Sequence, residues 1–416
     1  MIVKPKGTYD LYGIDEKIYS YITNIVDDYM INYNYDKIRT PIFEDSELFH
    51  RGVGETSDIV TKETYDFQDR GGRSVTLRPE GTAGVVRSFI ENKMYGNRND
   101  AIKLYYNGTM YRYERPQAGR FRELTQIGLE AFNSDSVMID AEVISIGYNI
   151  LRELGLEAVV KLNTLGDTES RLNYKKALVD YLKPHIGSLC EDCRNRLEKN
   201  PLRILDCKVD ADNEVLKNAP KIQDYLNDES KKRFNDLKNA LMGMGVEFIV
   251  DPKIVRGLDY YDHDVWEYEL VDGSLALGAG GRYNGLVESL GGPSVPAVGF
   301  AFGADRLIAL VKEKVKDQTL EKNIDVFIMS VNEEENIYAL KISQDLRLNN
   351  ISCEINSSNL SFKAQFKQAD KLGAKQLIIL NSEDLAKGLV NVKDNQTKEE
   401  KKVDESEIVD YISGII

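Results

Sequence analysis

Residues 109–130 read TMYRYERPQAGRFRELTQIGLE, two runs of alternating character joined by a loop that holds Pro116 and Gly119. A period of two predicts strands, and proline with glycine predicts the turn between them. The stretch is therefore a long hairpin, and the fold must contain a sheet that accommodates it. On the first arm Arg112 and Glu114 share one face; on the second Gln126 and Glu130 share a face with Gly128 between them, while Thr125, Ile127 and Leu129 point into packing. An arginine, an amide, a carboxylate and a glycine make a poor core face and a good lining for a polar ligand. The loop adds Arg115, Arg120 and Arg122, whose guanidinium forks suit phosphates and nucleic-acid backbones. An exposed hairpin with a solvated charged loop would explain the loop alone, but not the polar face that continues along both strands.

The chain has 416 residues, enough for two or three domains with ample core. A formal net charge of -14 argues against a protein that coats nucleic acid generally. Any such partner must be met by local basic patches, of which the 115–122 loop is one. The opening MIVKPKGTYD lacks the apolar run of a signal peptide, and no stretch approaches the ~20 apolar residues of a membrane span. The expectation is a cytoplasmic protein with no membrane partner. Four cysteines do not make a disulfide framework. Cys190, Cys193 and Cys207, with His185 as a fourth candidate, have the look of a zinc set. The Cys193–Cys207 gap, however, lacks a second paired cluster. Ordinary reduced cysteines in a helical segment are the simpler reading, and no protein-ligated metal is expected.

Along the chain, 15–34 carries Ile18, Ile22, Ile25, Val26 and Tyr29 at helical spacing and leads into 37–44, a strand broken by Pro41. The run 75–84, VTLRPEGTAG, predicts a short strand, a glycine-bounded turn and a helix start. A helix over 135–154 closes at Gly155, and 159–162 is a strand. The region of about 169–250 is mostly helical, rich in Lys and Glu and broken by Pro184, Pro201 and Pro220, as a self-standing insertion would be. After VRGLDYY (255–261) comes a strand at 265–270 and then the glycine-rich LALGAGGRYNGL (275–286). The latter is no dinucleotide fingerprint, because Tyr283 stands where a third glycine belongs, and no Gly-Lys-Ser/Thr phosphate loop occurs. PAVGFAFGADRLIAL (296–310) runs from a strand through Gly303 into a helix near Arg306. From Ile324 strands and helices alternate, which predicts a small α/β domain with a largely parallel sheet; Lys363, Lys367 and Lys371 fall on one face of a helix there.

Taken together, these motifs resemble the class II aminoacyl-tRNA synthetases, and the histidyl-tRNA synthetases in particular. The 109–130 stretch resembles motif 2, the 15–44 helix and strand motif 1, and 296–310 motif 3. The two remaining motifs, 256–261 (Arg-Gly-Leu-Asp-Tyr-Tyr) and 275–286, resemble the two histidyl signatures. The resemblance implies an α+β catalytic domain (1–322), whose antiparallel sheet is flanked by helices and which carries the insertion, and an anticodon-binding α/β domain (323–416). It implies a homodimer that activates L-histidine with ATP and Mg²⁺ and transfers it to tRNA(His), with no tightly bound organic cofactor. Arg256 and Arg112 would be the catalytic cations. Glu80, Thr82, Gln126, Glu130, Tyr260 and Tyr261 would hold histidine, and Arg112, Glu114 and Arg306 would hold ATP. Arg115, Arg120 and Arg122 would meet the tRNA. The chain departs from the family at Asp262-His263-Asp264, where a threonine and then a small or basic residue are usual, and at Ala304-Asp305, where Leu-Glu is commoner. Two alternatives fit the same scaffold: a non-catalytic paralogue that regulates ATP phosphoribosyltransferase, and a class II synthetase for proline, threonine or glycine.

Overall fold

The 109–130 hairpin lies within an eight-stranded sheet. The computed structural model describes residues 1–53, 59–96, 100–116, 119–258, 260–314, 323–358 and 360–416. Gln117 and Ala118 of the arginine loop, Asp259 of the VRGLDYY run and 315–322 of the charged stretch lie outside the described residues. Two units divide the chain, Met1–Val315 and Lys316–Ile416.

The strands of the first unit are β1 (Asp36–Lys37), β2 (Phe43–Asp45), β3 (Tyr65–Gln68), β4 (Ser74–Leu77), β5 (Ile102–Tyr111), β6 (Glu123–Phe132), β7 (Ala158–Thr164), β8 (Phe248–Val250), β9 (Asp262–Leu270), β10 (Ala276–Arg282) and β11 (Ala297–Gly303). The large sheet runs β1-β5-β6-β11-β10-β9-β7-β8. It is antiparallel throughout its middle, with parallel pairs only where β1 joins β5 and β8 joins β7. The second sheet is β2-β4-β3. The segment 37–44 is thus two strands in different sheets rather than one interrupted strand: Pro41, which cannot donate to a ladder, lies at the crossing.

Amphipathic helices cover the sheet. Helix Ile14–Asn32 buries Ile18, Ile22, Val26 and Met30, every fourth residue, and packs on helices Val137–Glu153 and Ala304–Lys314. Helix Val137–Glu153 is buried nearly all round and rests on β7 and β11. The polar face of β6 is matched in register by small residues of β11, with Gln126, Gly128 and Glu130 opposite Gly303, Ala301 and Gly299. That pairing leaves room above the sheet. Gly299 is required there, since a Cβ would overlap the Glu130 carboxylate.

Two further expectations change in this unit. β5 ends at Tyr111, so Arg112 and Glu114 belong to the loop rather than to the strand. The Arg112 N–H still donates to the Arg122 carbonyl (2.9 Å), but the Tyr113 N–H turns to the Glu63 carbonyl (2.6 Å), which breaks the alternation. The insertion between β7 and β8 is not self-standing either. Its apolar residues Tyr174, Leu178, Leu216 and Ile222 share one core with Tyr106, Tyr261 and Tyr283.

In the second unit β12 (Val326–Met329), β13 (Cys353–Ile355), β14 (Gln376–Ile379), β15 (Leu389–Asp394) and β16 (Glu400–Asp404) form a sheet in the order β13-β12-β14-β15-β16. Only the β12–β13 and β12–β14 pairs are parallel; β14–β15 and β15–β16 are antiparallel, so the sheet is mixed. The chain between β14 and β15 holds a single turn of helix, Ser382–Leu385, too short for the crossover that a parallel pair needs.

Candidate active site

A cleft of ≈ 450 Å³ opens over β6, β10 and β11, within the range usual for small-molecule sites. Glu80, Thr82, Arg112, Glu114, Gln126, Tyr260, Tyr261, Arg256 and Arg306 all line it, although they come from five separate stretches of chain.

One end is carboxylate and hydroxyl. β4 leads to Glu80, whose carboxylate accepts from the backbone N–H groups of Thr82 (2.7 Å) and Ala83 (2.9 Å) at the start of helix Thr82–Glu91. Burial nonetheless holds the Glu80 carboxyl above the usual range, against those bonds and the nearby Arg112. Glu130 lies just behind this wall, 1% exposed. Its carboxylate accepts from the hydroxyls of Thr82 (2.7 Å), Tyr106 (3.4 Å) and Tyr283. Burial, aided by the charge of Glu80, pushes Glu130 up to about 8 although the hydroxyls pull it down. The rings of Tyr260, Tyr261 and Tyr283 cluster beside it, with centroids 4.6 to 6.3 Å apart.

The other end is cationic. Arg112 reaches the cleft by donating Nε to the Pro79 carbonyl (2.8 Å). Arg306, at the start of helix Ala304–Lys314, donates to the Ala276 carbonyl (2.5 Å). Burial lowers the Arg306 pKa, and the like charges of Arg120 and Arg112 lower it further. Arg256 pairs with Glu267 and lies 5.9 Å from the Tyr261 ring centroid. Glu267 keeps the Arg256 pKa raised in spite of burial. Among the described residues, Arg256 Nε at this end and Gln126 Oε1 on β6 are buried along the cleft without a hydrogen-bond partner, as are Arg233 Nε and both Asp264 carboxylate oxygens away from it. Unpaired buried polar atoms are rare in a finished core and are expected where a ligand completes the bonding.

The loop arginines separate. Arg120 lines the cleft and faces Glu114 at 3.7 Å. Arg115 is exposed. Arg122 packs over the Tyr113 ring, 3.9 Å from its centroid, and against Gly7, and its Nε donates to the Glu114 carbonyl (3.3 Å). Its position is that of a strut within the loop.

Several residues went unnoticed from sequence. Tyr283 is the side chain in place of a third glycine in 275–286, and that substitution was the available signal. Glu267 pairs with Arg256, and Arg203 brings the insertion to the cleft, where it donates to the Gly257 carbonyl (3.2 Å). Tyr9 donates to Asp305, which also accepts the Thr125 N–H (3.0 Å), so the N-terminal segment braces the second arm of the hairpin. No pattern announced that role.

The Asp262-His263-Asp264 departure does not charge the cleft. Asp264 is wholly buried and pairs with Arg233 of the insertion (3.3 Å), while Asp140 pairs with Arg233 and with Arg282 (2.7 Å). None of the four lines the cleft.

This sheet, with its helices and its arginine-bearing cleft, is the architecture of a class II aminoacyl-tRNA synthetase. The family described as histidyl-tRNA synthetase matches residues 10–307, and the anticodon binding domain matches residues 325–415. The chain is 48% identical over 414 residues to a histidine–tRNA ligase of Bacillus cytotoxicus, covering 98% of both chains. The crystal structure of apo Staphylococcus aureus histidyl-tRNA synthetase superimposes with a TM-score of 0.84 at 39% identity, over 99% of this chain and 100% of that one. The chain belongs to the histidyl-tRNA synthetase family. A Bacillus halodurans structure described as an ATP phosphoribosyltransferase regulatory subunit/histidyl-tRNA synthetase shares the fold at 20% identity and a TM-score of 0.66, covering 91% of this chain and 98% of that one.

Proposed function

We propose that the chain is a histidine–tRNA ligase whose chemistry takes place in the cleft over β6 and β11. The observation that carries this reading is the division of one cleft into a carboxylate–hydroxyl–phenol end and a guanidinium end. Such a division suits an amino acid with an ammonium group and an imidazole on one side and a triphosphate on the other. Glu80, Thr82 and Gln126 would take the histidine ammonium and Tyr260 and Tyr261 the imidazole, whose N–H donates to a phenol oxygen, while Glu130, expected on the imidazole but buried behind the wall, would act through the Thr82 and Tyr283 hydroxyls that it holds. The histidine carboxylate attacks the ATP α-phosphorus, the bond to the β-phosphate oxygen breaks, and histidyl-adenylate and pyrophosphate form. The terminal ribose hydroxyl of the tRNA then takes the acyl group and AMP leaves.

The arginines do the electrostatic work. Arg112 and Arg256 would face the reacting α-phosphate and Arg306 the ATP tail, held in place beforehand by the carbonyls and carboxylate described above. Mg²⁺, which binds through one or two carboxylates together with phosphates, fits Glu114, whose carboxylate lines the cleft with Arg120 no closer than 3.7 Å. It would neutralise charge on the phosphates.

For tRNA, the exposed Arg115 and the exposed Lys363, Lys367 and Lys371 offer local positive charge on an acidic chain. Ile42, Phe43 and Phe67 are exposed on or beside the small sheet, and this apolar surface supports a homodimer interface there. No helix among the described residues is long and apolar enough to cross a membrane, in keeping with a translation enzyme of the cytoplasm.

Pyrophosphate exchange with each amino acid in turn, followed by charging of total tRNA, tests the reading. Exchange with histidine alone, and charging, is expected. A folded protein with no exchange for any amino acid would move the assignment to the regulatory paralogue.

A further inference from the structure

Away from the cleft, the insertion gathers Cys190, Cys193, Cys207 and Asp210 so that their ligating atoms all lie within 4.8 Å of one another. We propose that these four side chains form a closed structural site for a soft divalent cation, zinc by its chemistry.

Local structure explains the gathering. Cys190 is the N-cap of helix Glu191–Lys199 and Cys193 lies in its first turn, so both sulfurs collect at one helix start. Cys207 and Asp210 repeat the same spacing of three after the turn Pro201–Ile204. The second paired cluster that the cysteine pattern lacked is therefore present, with a carboxylate as its second member.

The distances fit. Cys190 Sγ and Cys207 Sγ are 3.7 Å apart, and Cys207 Sγ is 3.7 Å from Asp210 Oδ2. Tetrahedral zinc with Zn–S of about 2.3 Å and Zn–O of about 2.0 Å sets its ligands about 3.8 Å (S to S) and about 3.5 Å (S to O) apart. All the cysteines are free thiols. The cluster is also inside: Cys193 is 0%, Cys207 6% and Asp210 8% exposed. Among the described residues no lysine or arginine bridges the Asp210 carboxylate; its neighbours are the Cys190 N–H and the three sulfurs, which donate to it as thiols and would need a shared cation as thiolates. The Cys190 N–H donates to Asp210 Oδ2 (3.0 Å) and so fixes the carboxylate against the sulfurs. Thiolates select zinc over magnesium or calcium, and four protein ligands leave no open position for catalysis. His185 is not a ligand; it is exposed, with its ring 5.5 Å from that of Tyr181.

The site would tie the start of helix Glu191–Lys199 to the turn that carries Arg203, which in turn holds the Gly257 carbonyl beside Arg256. The metal thereby braces the insertion side of the cleft.

The full-length chain, purified without added metal, should contain one equivalent of zinc by elemental analysis. A mercurial thiol reagent should release that zinc, and cobalt exchange should give thiolate charge-transfer and tetrahedral ligand-field absorption. Cys193→Ser and Asp210→Asn should each lose the metal on dialysis. Because these variants could misfold, the unaltered protein decides the matter. The site is overturned if that protein, folded by circular dichroism and equilibrated with excess zinc, retains none after dialysis while its thiols react freely, or if mass spectrometry finds Cys190 and Cys207 disulfide-bonded.

Discussion

Strands β9 and β10 carry charge on both sides of the large sheet, and the two sides use it differently. Toward the cleft, Arg256 and Arg306 are held by Glu267 and by the Ala276 carbonyl, and Arg256 Nε and Gln126 Oε1 lack partners. Behind it, Arg233 and Arg282 pair with Asp140 and Asp264, and Arg282 is 0% exposed with further bonds to the Ser134 carbonyl (3.0 Å) and Asn284 (3.2 Å). The same residue types are paired with one another in a network on one side and held singly toward open space on the other, although among the described residues Arg233 Nε and both Asp264 carboxylate oxygens also lack hydrogen-bond partners. A β-bulge between Gly281 and Arg282 accompanies the change of side.

The largest expected effect breaks the ion-paired side. Arg282→Ala leaves the buried Asp140 and Asp264 carboxylates to share the single charge of Arg233 and should cost about 3–5 kcal/mol of stability, as removal of one member of a buried ionic cluster does. Denaturant unfolding reads it; a near-neutral result would mean that the cluster is dispensable. Next comes the cleft side. Arg256→Ala should lower histidine-dependent pyrophosphate exchange by about 10²–10³-fold, while the unfolding curve stays close to the unaltered protein's. Normal exchange by that variant would sink the catalytic assignment.

A smaller effect sharpens the geometry between the two sides. Gly299→Ala drives a methyl into the Glu130 carboxylate, an overpacking that should cost about 1–3 kcal/mol. Since Glu130 belongs to the histidine end, the KM for histidine should rise more than that for ATP. Equal rises would place Glu130 outside histidine recognition.

The hairpin, the polar face of β6 and the strand-to-helix step at Gly303 were legible because each rests on local periodicity or turn chemistry. What escaped depended on pairings far apart in sequence. The ionic cluster joins Asp140, Arg233, Asp264 and Arg282 from four elements, so nothing local to Asp262-His263-Asp264 shows which way Asp264 turns. β16 escaped because EKKVD is an edge strand whose charged residues face water, which is also how edges avoid pairing with other chains. The polar face itself was attributed to Arg112 and Glu114 as well, but the loop delivers those two, by way of the Tyr113 bond to Glu63.

Glu130 gives the subtlest test, because it is a charged residue type placed on the cleft side yet buried like the ionic cluster behind the sheet. Its folded pKa, about 8, lies above the ordinary carboxyl value, so the folded state holds this proton more tightly than the unfolded chain does. The unfolded chain releases it first as pH rises, and Glu130 therefore subtracts stability progressively from the ordinary carboxyl range up to about pH 8. Glu130→Gln removes that titration. The variant's melting temperature, relative to the unaltered protein, should climb by a few degrees between pH 5 and pH 8, roughly the window that linkage assigns to one such group. Its histidine activation should fall most near and above pH 8, where Glu130 ionises and an amide cannot supply the negative charge. A melting difference that is flat with pH would show that the three hydroxyls keep Glu130 ionised, and that the cleft side is already charged before histidine arrives.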